Sequence, residues 1–470
     1  MVDINKIRVN LPIEKIPTHW LNLLPDLPEK CPPLLFPQTM KPAPFEVVTR
    51  IFPVECVKQE VAQDPLIEIP KELREAFVQL QRPTPLQRAI SFERAIGLKG
   101  DDIKIYYKRE DVSPTGSHKS NTALVQAYYA KKQGLKGLIT ETGAGQWGSA
   151  LSLGCATVGL ECTVYMCRGS YQQKPGRRAL MEIYGSKVHA SPSPETQIGK
   201  GFYDKDNNHP GSLGIAISEA LEHAMRDDKY RYALGSVVNF VLLHQTVVGQ
   251  EALEQMKMLK EYPDVVIGSI GGGSNFYGCA APFIKAKLKK EHPNTDIIMV
   301  EPTAAPKITK GKYAWDFGDA VGVGPVAKMY TLGHSFVPSP IHAGGLRYHG
   351  SSPIVSILNK NKVIRAVARN QTEVIKAGVL WCKTEGILPA PETCHPIFEA
   401  MNQALQAKKN GEKKVILFNH SGHGFFDIQA YVEYLSGNLV DYELPDQEIE
   451  ASLATLPKVD ESKFYVGDLA

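Results

Sequence analysis

From Arg82 onward the sequence alternates short, continuous apolar runs with Gly-, Ser- or Pro-containing turns and then a helical pattern. The runs cover 103–107, 137–140, 162–166, 265–270, 297–300 and 415–418. A strand that is apolar at every position is buried on both faces, which arises in parallel sheets with helices above and below. The rhythm therefore predicts the α/β class with parallel-rich sheets. In such sheets ligands sit beyond the carboxyl ends of the strands, so the residues after each run are where chemistry is expected.

At 470 residues the chain is long enough for two or three packed units. Its first 75 residues are rich in proline (Pro12, Pro17, Pro25, Pro28, Pro32, Pro33, Pro37) and read as an extended arm with short helices. Trp20, Leu21, Leu24, Leu34, Leu35 and Phe36 carry too much apolar surface for a disordered segment. Residues 76–440 read as the catalytic region and 441–470 as a tail. The polar stretch 191–211 is expected to be an exposed insertion. Lys and Arg number 53 against 50 Asp and Glu, which gives no electrostatic case for nucleic acid or an anionic membrane. The eight cysteines form no CxxC pair, which argues against zinc and for a reducing cytoplasm. The N-terminus lacks the apolar core of a signal peptide, and no apolar run is long enough to span a membrane.

Three separated segments carry the chemistry. Lys119 lies in Ser117-His118-Lys119, a small-residue loop between a predicted strand and a helix over 121–133. A lysine held there can form a Schiff base with an aldehyde cofactor and later move a Cα proton. Gly271, Gly272, Gly273, Ser274 and Asn275 follow an apolar run and open a helix, an arrangement whose backbone N–H groups suit a phosphate. Ser421 follows another run, and its neutral hydroxyl suits the nitrogen of a pyridine without protonating it. Together they point to pyridoxal 5'-phosphate (PLP).

Between these, Thr142, Gly143, Ala144, Gly145 and Gln146 form a second anion nest at a helix start, suited to a substrate carboxylate. Gly143 to Gly148 also match G-x-G-x-x-G, the mark of a dinucleotide site. The next strand ends at Cys167-Arg168 rather than at an acidic residue, so only an NADP-dependent oxidoreductase would fit, with Arg168 on the 2'-phosphate. Glu141 reads either as an acid/base with a raised pKa or as a helix-end charge. His420 and His423 have no third partner nearby, and no metal is expected.

The motifs RPTPL (82–86), KREDVSPTGSHKSN (108–121), ETGAGQWG (141–148), GGGSN (271–275), TEGILPAPETCH (384–395) and SGHGFFD (421–427) resemble those of the tryptophan synthase β chain. Trp147, His423 and the loop HAGGLRYHG (342–350) with Arg347 resemble the second, divergent type of that family. The resemblance implies two three-layer α/β/α domains with PLP between them, the fold-type II arrangement, usually as a homodimer. It implies PLP on Lys119 with contacts from His118, Asn275 and Glu385, phosphate at 271–275, and Ser421 on the pyridine. It further implies the serine carboxylate at 142–146, Glu141 as acid/base and Arg347 as a substrate contact. The expected reaction is L-serine plus indole to L-tryptophan and water. A serine or threonine deaminase and an O-phosphoserine-using synthase share the fold and stay open. Trp147, Arg347 and the arm are expected to reshape the mouth and lid, so that a tryptophan synthase α chain binds weakly or transiently.

Overall fold

The computed structural model describes residues 4–463. Eleven of its strands build two sheets. In chain order they are β1 (Arg8–Val9), β2 (Leu86–Arg88), β3 (Ile103–Arg109), β4 (Gly137–Thr142), β5 (Glu161–Cys167), β6 (Lys187–Ser191), β7 (Tyr230–Tyr232), β8 (Val265–Ser269), β9 (Asp296–Pro302), β10 (Arg365–Arg369) and β11 (Lys414–His420). The larger sheet has the order β1-β2-β3-β11-β8-β9-β10, and the smaller β6-β5-β4-β7. The smaller sheet is wholly parallel; in the larger, only β1 and β2 run antiparallel to their neighbours.

All six apolar runs are strands, and they occupy the interior of the two sheets. The rhythm passed over β6, β7 and β10, which are edge strands, and over the three-residue interior strand β2. An edge strand is half solvated and need not be continuously apolar; β10 reads Arg-Ala-Val-Ala-Arg with no fully buried position. Five helices matter for the site: α1 (Ser120–Lys132), α2 (Gln146–Val158), α3 (Asn239–Met258), α4 (Ser274–Leu288) and α5 (Pro391–Asn410). The central pair α3 and α4 is buried along most of its length, which accounts for its weak amphipathic patterning.

The N-terminal arm is laid onto this core. β1 extends the large sheet through β2. Trp20 is fully buried, its ring 5.0 Å from that of His244 on α3. Leu35 pairs with Val326 at the edge of the antiparallel hairpin formed by Lys312–Phe317 and Val326–Thr331. Phe52 packs between Tyr232 and Phe240 at centroid distances of 5.7 and 5.4 Å.

The stretch 191–211 departs from the expected exposed insertion. Ser191 ends β6 and is buried together with Ser193 and Thr196. Their polar groups converge on the buried carboxylate of Glu219, which accepts from the Ser191 hydroxyl, from Ser193 N at 2.9 Å and from Thr196 Oγ1 at 2.9 Å. The polar composition serves an internal acid rather than solvent; only 204–208 form a continuous exposed run.

Candidate active site

The parallel register brings three distant motifs together. His420 at the end of β11 lies beside Arg109 at the end of β3, and Phe418 of β11 beside Ile267 of β8. The Lys119 loop, Ser421 and the glycine turn therefore leave three adjacent strand ends. Backbone bonds stitch two of them: Ser117 bridges Gly422, His118 N donates to Ser421 O at 3.0 Å, and His423 N donates to Gly116 O at 3.0 Å. On the far side, Ala390 N donates to Gly422 O at 2.9 Å, which draws in the start of α5. Gly116 has φ +71° and an added Cβ would stand 2.0 Å from the His423 ring, so this contact requires glycine. His423 thus acts as packing for the lysine loop.

Below the loop lies a buried ionic cluster. Arg82 donates to Glu110 (2.9 Å), Glu251 (2.8 Å) and Asn121 (2.7 Å), and Lys108 donates to Glu251 (2.7 Å). Asn121 stands in the first turn of α1, so the cluster fixes the helix that carries Lys119 at its N-cap. Burial pushes the Lys119 ammonium down to about 8, against the opposing pull of the Glu141 and Glu392 carboxylates. Such an amine is partly neutral near neutral pH, as imine formation requires. His118 is held neutral, pushed down to about 3 by burial and by the Lys119 charge.

The residues present fit PLP. At the end of β8 a Cβ on Gly271 would lie 2.3 Å from Gly345 O, and one on Gly272 would lie 2.6 Å from Ser236 Oγ. Neither position admits a side chain, and the turn opens directly into α4, whose first N–H groups suit a phosphate. His118 Nε2 lies 3.4 Å from Ser274 Oγ. The Asn275 side chain turns the other way: it donates to Ser269 O at 3.1 Å and accepts from Asn419 at 2.7 Å, so it braces the turn. Ser421 Oγ is 2.8 Å from Thr393 Oγ1, a fully buried hydroxyl that sequence reasoning missed.

Glu141 is the next-to-last residue of β4, on the other side of the site. It is 4 % exposed, and burial pushes its carboxyl up to about 7, opposed mainly by the Tyr232 hydroxyl, which donates to Oε2. Glu141 is thus a buried carboxyl with a raised pKa and not a solvated helix-end charge. Thr142 Oγ1 accepts from Gly148 N at 3.2 Å and closes the first turn of α2. Gly145 takes a left-handed φ of +96° at the N-cap of α2. Lys119 and Glu141 line one chamber with an otherwise largely apolar wall, including Leu213, Ile217, Leu221 and Tyr348. Leu34 and Phe52 of the arm also belong to that wall.

Other expected residues lie elsewhere. The Glu385 carboxylate accepts from Phe92 N at 2.8 Å and Tyr107 Oη at 3.3 Å, in a separate hollow with Gln87 and Arg88. The glutamate near Lys119 is Glu392, seven residues on, which accepts from Gly345 N at 2.8 Å and lies 3.5 Å from Gln146 Nε2. Both stand in the same motif; the Pro391 start of α5, a helix-initiation signal, was the clue that separates them. Trp147 is no part of a mouth or lid. It is buried, donates to Thr140 Oγ1 at 2.7 Å and forms part of the chamber wall. Arg347 is largely enclosed near Glu392 and forms no ion pair among the described residues. Arg168 is committed to the carbonyls of Ala190 and Pro192 and stacks on Tyr203, which removes the cation an NADP phosphate would need. Among the described residues no cluster of His, Cys, Asp or Glu could hold a metal.

Residues 78–422 match the family model described as pyridoxal-phosphate dependent enzyme. The chain is 56% identical over 433 residues to tryptophan synthase beta chain 2 of Thermococcus kodakarensis, covering 92% of this chain and 97% of that one. It is 54% identical to tryptophan synthase beta chain 2 of Aquifex aeolicus, covering 91% and 98%. The chain belongs to the tryptophan synthase β-chain family. It is a PLP-dependent lyase. Among solved structures the fold is similar to threonine deaminase isoform 2 from Solanum lycopersicum (TM-score 0.54, 18% identity, 78% and 94% covered). Maize serine racemase is similar too (TM-score 0.53, 17% identity, 78% and 98% covered). These place the β-chain family within the fold-type II architecture, as the sequence resemblance implied.

Proposed function

We propose that this chain condenses L-serine with indole through Lys119 and Glu141, which face one apolar chamber. Bound PLP supplies the electron-withdrawing system that makes the serine Cα proton removable. Lys119 Nζ takes that proton and returns it at the end. The N–H groups of 142–146 hold the serine carboxylate. Glu141, protonated below about pH 7, gives a proton to the departing β-hydroxyl and then holds the indole N–H. The apolar wall receives the indole ring and excludes water. Glu392 and Ser421 would orient the cofactor ring, and Arg347 would contact the bound substrate.

The observation that carries the reading is the chamber itself. A deaminase acting on serine alone needs no ring-sized apolar space beside its acid. Borohydride reduction of the holoenzyme followed by peptide mapping is expected to place the label on Lys119, and Lys119→Ala to abolish turnover. Label on another lysine overturns the assignment. With serine supplied, indole is expected to divert product from pyruvate to tryptophan; pyruvate in undiminished yield favours the deaminase reading.

Residues 1–75 are read as an arm, 76–440 as the catalytic region and 441–470 as a tail, of which 464–470 lie outside the described residues. The working unit is proposed to be a homodimer in the cytoplasm, taking free indole and stimulated only weakly or transiently by an α chain. The arm supports this, since Leu34 and Phe52 close the chamber from within one chain. Assays with and without stoichiometric α chain test it; a tight complex with large mutual activation refutes it.

A further inference from the structure

Lys307 follows β9 and is fully buried. A buried ammonium is costly unless its protons are satisfied and its charge is balanced. No carboxylate among the described residues comes within ion-pair distance of it. Glu301, the acid whose charge Lys307 feels, is occupied by other donors: it accepts from Ile308 N at 3.0 Å, Thr309 N at 2.8 Å and the Thr309 hydroxyl at 2.7 Å. What Lys307 Nζ meets are two carbonyl oxygens, Ile270 O at 3.4 Å and Leu346 O at 3.4 Å.

Those two carbonyls belong to the two loops that meet over the cofactor site. Ile270 is the last residue before the glycine turn. Leu346 precedes Arg347 and Tyr348, and Tyr348 lines the chamber. The loops touch as closely as backbones can, since Gly271 has no room for a Cβ against Gly345 O. Two carbonyls pointing into one buried spot repel each other unless a cation lies between them.

We infer that Lys307 is a positioning residue, a tethered internal cation that clamps the Arg347 loop onto the glycine turn and so shapes the phosphate cradle. Burial pushes the Lys307 ammonium down to about 8, against the opposing pull of the Glu301 carboxylate, which lies beyond ion-pair distance. The inference rests on the glycine turn being the phosphate site.

The test is the PLP dissociation constant of the apoenzyme, read by absorbance titration. Lys307→Ala is expected to weaken PLP about ten- to a hundredfold, the range for losing hydrogen bonds to a charged group. Ammonium or potassium ions, small enough for the vacated space, should restore binding, whereas tetramethylammonium should not. Lys307→Met, which fills the space without charge, should show the loss and no rescue. The double variant Lys307→Ala/Glu301→Gln also removes the nearby acid, so that a loss of affinity cannot come from an uncompensated Glu301; it should remain weak and rescuable. Unchanged affinity in all three variants overturns the clamp. Affinity regained in the double variant without added cation also overturns it, because Lys307 would then be only a counter-charge for Glu301. Gly272→Val separates the two readings: normal PLP affinity there means that the turn is not the phosphate site, whatever Lys307 does.

Discussion

Glu141→Gln should make the protein more stable while nearly abolishing its activity. Burial pushes the Glu141 carboxyl from 4.5 up to about 7. Between those values the folded protein keeps a proton that the unfolded chain releases, so stability falls as pH rises through this window and levels off above it. At about 1.4 kcal/mol per pKa unit, the wild type carries a cost of about 3 kcal/mol above pH 7. Glutamine mimics the protonated acid, still accepts the Tyr232 hydrogen bond and cannot ionise. The variant apoenzyme should therefore gain about 3 kcal/mol at pH 8.5 and less than about 1 kcal/mol at pH 5. Lys119 loses a favourable anion in the variant, but it is pushed down to about 8 and is mostly neutral at pH 8.5, so it offsets little. Urea unfolding of both apoenzymes at the two pH values, followed by fluorescence, measures the difference. Tryptophan formation should fall by about two orders of magnitude, the scale of a positioned acid/base. A stability gain equal at pH 5 and 8.5, or near-normal turnover, would refute the reasoning.

Three further outcomes are expected. Arg82→Met leaves the buried carboxylates of Glu110 and Glu251 without their guanidinium and should destabilise the protein by about 3–5 kcal/mol in chemical denaturation; a loss under about 1 kcal/mol would mean that Lys108 alone neutralises the cluster. Phe52→Ala opens the chamber from the arm side and should raise kcat/KM for bulky substituted indoles relative to indole by about tenfold, a typical worth of pocket contacts; an unchanged ratio in competition assays would remove the arm from substrate selection. Ser421→Asp replaces a neutral hydroxyl held by Thr393 with an acid and should shift the cofactor absorbance seen with serine; a wild-type spectrum would show that residue 421 does not reach the pyridine.

The strands that hold the site were legible because interior parallel strands are apolar on both faces, and each of the six runs carries that mark. Lys119, the nest at 142–146 and the turn at 271–273 were legible for a related reason: glycine and small residues at strand ends are dictated by backbone geometry, which is local. Glu141 stayed ambiguous, because a carboxylate at a helix start reads the same whether it faces solvent or an apolar chamber; only its burial raises its pKa, against the Tyr232 hydrogen bond. Glu385 and Glu392 share one motif, and the turn of chain into α5 decides which of them approaches Lys119. The polar stretch 191–211 looked solvated until Glu219, on a separate helix, was seen to gather its hydroxyls. Lys307 gives no signal in its neighbours at all. Periodicity and turn chemistry report what a residue does to its own backbone. Desolvation, charge pairing and carbonyl convergence depend on segments that are not neighbours in the sequence, and those are set only when the sheets close.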